Sequence, residues 1–387
     1  MKKPTLKIGI LFSTSGSYAA VGQSMCAGAE LAISEVNADA CAPIMLEPVA
    51  IDPGGVVSAY SEAVRTLLVE QDLTHVFGCY TSSSRKEVLP LFEKNDALLW
   101  YPSHYEGFET SDNVVYTGAG PNQHIIPLSR HLLAHHGNRG WFVGSNYIWA
   151  WENNRILREA LTEAGGTVMG ERYFPVGETD LTALVDQILR DRPDFVFTTL
   201  IGDSGYAFFR LLRRAAEAAG IDQPNVLPVA SCSLSEAELP AIGAAGTGHL
   251  SSSVYFSTLQ SPENARFTEQ WDRRFAHLGK ACADAEATYV AVHLLVHAVS
   301  KAGGAGFHDV VAAARGLQFA APQGLVTVDP ENLHCSMRPR IGRSTAQGTF
   351  ELLHEDPGPV RPDPYLVWSS AATATQAVGP RNLKAVQ

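Results

Sequence analysis

Strand-like and helix-like segments alternate twice over along this chain, and that double alternation leaves few folds open to it. Short apolar runs occur at residues 6–12 (LKIGILF), 45–52 (MLEPVAID), 74–80 (THVFGCY), 97–103 (ALLWYPS) and 113–119 (NVVYTGA). Between them, residues 22–37, 58–70 and 85–95 carry apolar side chains at helical spacing. A second series repeats the pattern, with strands expected at 140–145, 167–175, 194–201, 225–231 and 249–256 and helices at 127–136, 153–164, 181–191 and 205–219. Two long helices, 262–278 and 285–302, and two further strand-like pieces, 324–330 and 348–354, follow. Strands separated by helices of about 10–15 residues cannot pair as hairpins; they form parallel sheets covered on both faces. The expected fold class is therefore α/β, with two doubly wound parallel-sheet lobes joined by a hinge. A chain of 387 residues also exceeds the size at which one hydrophobic core stops growing. The expected division is 1–120 plus about 257–325 for the first lobe and 121–256 plus about 326–368 for the second. Residues 369–387 (SSAATATQAVG and beyond) read as a loose tail.

Charge and cysteines narrow the function. A formal charge of −11 opposes direct nucleic-acid binding, which needs basic surface against phosphate. The six cysteines, Cys26, Cys41, Cys79, Cys232, Cys282 and Cys335, include no close metal-type pair, so neither a metal nor a redox cofactor is expected. No run approaches the roughly 20 apolar residues of a membrane span. The first strand begins almost at once after MKKP, and Lys7 and Gly9 interrupt its apolar run, unlike a secretory leader. A cytoplasmic location is expected, or a periplasmic one if a leader precedes this sequence.

In open parallel sheets ligands sit beyond the C-terminal ends of strands, so the loops there are the candidate site. After the third strand comes Tyr80-Thr81-Ser82-Ser83-Ser84 ahead of a helix, where hydroxyls and free N–H groups suit a carbonyl or carboxylate oxygen; capping by one serine is the plain alternative. After the fourth come Tyr101, Ser103, His104 and Glu106, with Tyr105 and Phe108 readable as packing under the loop. After the first strand of the second series, Tyr147, Trp149 and Trp151 stand ahead of a helix as an opposing aromatic wall. The loops at 202–204 and 231–235 read equally as turns or caps. No G-x-S-x-G elbow, Walker loop, HExxH or GxGxxG is present. Cys79 and His104 are the one nucleophile–base pair to weigh, but a cysteine ending a strand is expected to be buried, and no enzyme is expected.

Three segments, GCYTSSSRKEVLP, ALLWYPSHYEGFETSDNVVYTGAGPNQHIIPL and WFVGSNYIW, resemble the amide-sensing negative regulators of aliphatic amidase operons. They are similar, more loosely, to the urea and short-chain-amide receptors of ABC transporters, and DPGG (52–55), SEAE (235–238), APQG (321–324) and RPDPY (361–365) are further matches to the resemblance. The resemblance implies a type I periplasmic-binding-protein fold without a cofactor. It further implies one small uncharged amide-like ligand held between the lobes by Tyr80, Ser82, Tyr101, Ser103, Tyr147 and Trp149, with Ser233 or Leu234 added. His104 stands where the regulators have proline, Ser103 where they have threonine, Asn146 where they have aspartate and Trp149 where they have tyrosine. Loss of the acid at Asn146 favours an uncharged guest over an amino acid, unless Asp203 or Glu152 supplies a charge. The implied partner is an RNA-binding antiterminator in the regulator reading. In the alternative, a receptor for urea, amides or branched-chain amino acids, it is an ABC permease.

Overall fold

The computed structural model describes residues 3–369; beyond Ser369 the expected loose tail lies outside the described residues. The first sheet contains β1 (Thr5–Leu11), β2 (Met45–Ile51), β3 (His75–Gly78), β4 (Leu98–Tyr101) and β5 (Val114–Tyr116), in the order β2-β1-β3-β4-β5 and parallel throughout. Side chains alternate across a strand, and both faces of this sheet are covered. On β4, Leu99 and Tyr101 pack with Tyr60 and Val64 of α2 (Val57–Arg65) and Val88 and Phe92 of α3 (Ser82–Lys94). Leu98 and Trp100 join the opposite core, built on Met25 and Ala29 of α1 (Ala19–Ala38).

The second sheet has seven strands in the order β15-β14-β10-β9-β8-β6-β7. Its parallel part is β6 (Arg139–Ser145), β7 (Thr167–Phe174), β8 (Phe195–Thr199), β9 (Val229–Ser231) and β10 (Leu250–Ser253). Helices α4 (Ile125–His135) and α5 (Ile148–Glu163) cover one face, and α6 (Thr182–Asp191) and α7 (Gly202–Ala218) the other. The one-turn helices α8 (Gln223–Val226) and α9 (Leu239–Ile242) flank β9. Residues 225–231, expected as one strand, thus divide between α8 and β9. Helix α5 begins five residues earlier than the spacing predicted, so Trp149 and Trp151 lie in its first turn.

The chain then returns to the first lobe as α10 (Pro262–Phe275), α11 (Ala283–Ala302) and α12 (Phe307–Ala314). α11 supplies Val290, Leu294 and Val299 to the core it shares with α1. A small antiparallel sheet, β11 (Gln318–Ala321), β12 (Gly324–Val328) and β13 (Cys335–Ser336), follows. Val326, Val328 and Cys335 belong to this same first-lobe core, whereas the sequence placed residues from 326 onward in the second lobe. The chain crosses once more to β14 (Arg340–Ser344) and β15 (Phe350–Glu355), which extend the second sheet antiparallel. Side chains stitch the crossings to one another. Gln123 Nε2 donates to the Cys335 and Val360 carbonyls at 2.9 Å each, Arg340 Nη2 to the Gln323 carbonyl at 3.0 Å and Ser252 Oγ to the His124 carbonyl at 2.7 Å. No single helix among the described residues is long and apolar enough to cross a membrane.

Candidate functional site: a cavity between the lobes

At the end of β3 the backbone turns sharply. Cys79 takes a left-handed conformation (φ 66°), unusual for a residue with a β-carbon, and its N–H donates to the Leu11 carbonyl at 3.0 Å. Tyr80 follows, and Thr81 caps α3 by accepting from the Ser84 N–H at 3.2 Å. Ser82 opens the helix, and its hydroxyl donates to the buried Glu106 carboxylate. Behind it Arg85, fully buried, pairs with Glu106 at 3.1 Å and Glu109 at 2.7 Å, its guanidinium lying over the rings of Tyr101 and Tyr105. Burial would raise the Glu109 pKa, but the Arg85 and Lys86 charges bring it down to about 2.

After β4 the loop passes through Ser103 and His104. Gly118 lets it pack close, since a β-carbon there would stand 1.9 Å from the Ser103 carbonyl oxygen. His104 reaches across to the second lobe, its Nδ1 3.1 Å from the Cys232 carbonyl. A carbonyl only accepts, so Nδ1 carries a proton, and Nε2 is left without a partner. Ser103 Oγ is likewise buried and unpartnered.

From the second lobe, Tyr147 precedes α5 and Trp149 lies in its first turn, their rings 6.3 Å apart and nearly parallel. The indole N–H of Trp149 is buried and has no acceptor. The loop after β9 folds over its own Ser231 hydroxyl, which accepts from the N–H groups of Ser233 (3.0 Å) and Leu234 (3.2 Å). Glu238 accepts from the Ser235 N–H at 3.2 Å; burial pushes its carboxyl up to about 8, and Asp284 nearby adds to the rise.

These segments enclose one cavity with about 430 Å³ of atom-free space, its mouth included. Of the residues singled out in the sequence, Tyr80, Ser82, His104, Tyr147, Trp149, Ser233 and Leu234 line it. Tyr101 and Ser103 do not. Tyr101 is fully buried and its hydroxyl donates to the Tyr80 carbonyl at 2.9 Å, so it supports the wall from behind. Glu106 is occupied by Ser82 and Arg85.

The residue that sequence reasoning missed is Asp284, in the first turn of α11, which lines the cavity from the first lobe. Burial raises its pKa, while the adjacent His104 ring and Ser103 hydroxyl oppose the rise. An acid therefore does line the cavity, though it is none of the residues considered. Asn146 is exposed and accepts from the Trp151 indole at 3.1 Å; Glu152 pairs with Arg155 at 2.9 Å. Asp203 bridges the lobes instead, its N–H donating to the Ser17 carbonyl and its carboxylate accepting from Ser17 Oγ, both at 3.1 Å. Gly202 (φ 58°) makes that approach feasible, because a β-carbon there would lie 2.2 Å from the Ser17 oxygen. Burial pushes the Cys79 thiol up to about 12, and a thiol held protonated offers no nucleophile to His104.

Two sheets closing on a shared cavity is the arrangement of receptors that bind small solutes, and the model of the periplasmic binding protein domain matches residues 6–371. The chain belongs to the periplasmic binding protein family. This is a family of binding proteins, not of catalysts. Among curated members, the Leu/Ile/Val-binding protein homolog 6 of Brucella abortus is 23% identical over 338 residues, 85% of each chain. Solved members share the architecture. A solute-binding protein of an ABC transporter from R. palustris, in complex with 4-hydroxybenzoate, superposes with a TM-score of 0.81 at 20% identity, covering 91% of this chain and 97% of its own. The branched-chain amino acid transporter substrate-binding protein of Streptococcus pneumoniae, in complex with isoleucine, gives 0.81 at 19%, covering 92% and 100%. The expected type I two-lobe fold is thus the observed one.

Proposed function

We propose that this protein is a solute receptor whose lobes close on one compact, planar, nitrogen-bearing molecule of amide or urea shape, and that it delivers this solute to an ABC permease. The observation that carries the ligand reading is the cavity lining. It combines the flat walls of Tyr80, Tyr147 and Trp149 with unpartnered buried polar atoms on Trp149, His104 and Ser235, and it contains no lysine or arginine. A guest of four heavy atoms gains at most about −1.5 kcal/mol per atom, roughly −6 kcal/mol in all, or tens of micromolar. Each buried partner left unmet costs about 1–3 kcal/mol, so an enclosed, fully matched site is what so small a ligand demands. The transport role is supported by the relatives, which are named as transporter receptors.

Calorimetric titration with acetamide, propionamide, urea, guanidinium, isoleucine and 4-hydroxybenzoate tests the reading. Binding by at least one of the first four, tighter than by the last two, is expected; saturable binding of the carboxylates alone overturns it. A second reading, a ligand-responsive regulator that releases an RNA-binding antiterminator, is supported by the GCYTSSSRKEVLP and WFVGSNYIW stretches. Ligand-dependent uptake in vesicles carrying the permease separates it from the first, because a regulator leaves uptake unchanged.

A further inference from the structure

The lining of the cavity carries no fixed positive charge, since no lysine or arginine belongs to it. Its hydroxyls, on Tyr80, Tyr147, Ser233 and Ser235 among others, both donate and accept, the one side chain there that can only donate is the Trp149 indole, and Asp284 when ionised offers only acceptors. The groups around Asp284 include no lysine or arginine either. Facing Asp284 are His104 and Ser103 from the loop after β4, Tyr80, Cys282, and the two acids Glu236 and Glu238 from the loop before α9. Glu236 and Glu238 are held by the N–H groups of Ser257 (2.7 Å) and Ser235 (3.2 Å). The nearby buried cation, Arg85, is already balanced by Glu106 and Glu109.

An acid in the first turn of a helix commonly does no more than complement the helix dipole at the surface. Asp284 differs in being buried at the wall of a closed cavity, beside the unpartnered Ser103 hydroxyl and His104 Nε2. A neutral guest would bring its carboxylate no counter-charge of its own, and burying charge is costly. A carboxylate guest would add a second negative charge at close range. A planar cation would pair with Asp284 through N–H groups and lie against the tyrosine and tryptophan faces, which attract positive charge.

We infer that Asp284 sets the charge of the ligand, and that the cavity takes a compact cation of the guanidinium or amidinium class in preference to its neutral isostere. The inference rests on the reading of this cavity as the ligand site and adds the ligand's charge to it.

The test uses the full chain and two isosteric pairs, guanidinium against urea and acetamidinium against acetamide, as chloride salts at matched ionic strength and neutral pH. Wild-type protein is expected to bind the cation about tenfold tighter or more in each pair, the scale of a buried charge-assisted hydrogen bond. Asp284→Asn is expected to weaken cation binding by about tenfold or more and to erase the preference for the cation over its neutral isostere, whereas Asp284→Glu retains it. Wild-type protein that binds urea or acetamide as tightly as the matching cation overturns the inference and leaves the proposed function standing. Wild-type protein that binds none of the four overturns both. The wild-type comparison decides the matter even if Asp284→Asn fails to fold.

Discussion

Gly202→Ala is expected to act on lobe closure rather than on the cavity itself. Gly202 opens α7 in the second lobe with φ at 58°, and Ser17 lies opposite in the β1–α1 loop of the first. An added β-carbon would stand 2.2 Å from the Ser17 carbonyl oxygen and 2.7 Å from its carbon, backbone atoms that cannot rotate away. The left-handed conformation costs alanine about 1–2 kcal/mol, but in the open and closed forms alike. The clash exists only when the lobes meet. Relieving it means withdrawing Ser17, which breaks the two 3.1 Å hydrogen bonds to Asp203, one of them to a carboxylate. At about 1 kcal/mol for the first and 1.5 or more for the second, closure loses roughly 2–3 kcal/mol. Because the ligand is enclosed only in the closed form, its apparent affinity falls by the same amount, about 30- to 150-fold. Calorimetry with the tightest of the amide, urea and guanidinium probes measures the loss, and small-angle scattering reads the compaction on binding. Affinity within about threefold of wild type, with the same compaction, would refute the idea that this contact belongs to the closed state.

Tyr147→Ala and Ser82→Ala should each weaken ligand binding about tenfold or more with the fold intact by circular dichroism, since each removes a wall or a hydroxyl from an enclosed site; unchanged affinity in both removes the cavity as the site. Arg85→Met leaves the buried Glu106 with only Ser82 and Lys86 at 3.8 Å, and Glu109 with Lys86 at 2.8 Å, and a loss of up to about 3–5 kcal/mol should appear as a fall of several degrees in Tm, with no fall arguing against the network. Burial lowers the pKa of His75 and His334 from 6.5 to about 4 and of His124 and His249 to about 3, so below pH 6.5 the unfolded chain takes up protons the fold refuses, and stability drops as pH falls. Burial raises Glu236 from 4.5 to about 7 and Glu238 and Glu286 to about 8, so above pH 4.5 the fold keeps protons the unfolded chain releases, and stability drops as pH rises toward 8. The ligand-free protein should therefore be most stable near pH 6, losing up to about 1.4 kcal/mol per pH unit for each acid still protonated; a melting temperature that climbs steadily from pH 6.5 to 8 contradicts this.

The parallel sheets were legible because their strands are apolar on both faces, as at residues 97–101, where Leu98 and Trp100 serve one core and Leu99 and Tyr101 the other. That same alternation explains Tyr101. It shares the face of Leu99, toward α3, and so stands behind the wall rather than in it. β14 was illegible for the opposite reason: its RIGRS sequence looks like surface, but Arg340 is taken inside by pairing with Glu355 at 2.7 Å. Asp284 was hidden by a boundary. With α11 expected to begin at 285, the acid fell in a loop, whereas a carboxylate opening a long apolar helix is a signal worth testing for a ligand. No local pattern announces that His104 bonds across to Cys232, because that contact exists only once the lobes meet.

The stitched crossings between the lobes bear on timing as well as shape. Three linkers are pinned to one another by Gln123, which donates to the Cys335 and Val360 carbonyls, and by Arg340, which donates to the Val254 carbonyl, an arrangement that favours swinging of the two halves over sliding. A guest held beneath both halves would then leave only as they swing apart, so substitutions in the linkers should alter its dwell time without touching the cavity wall.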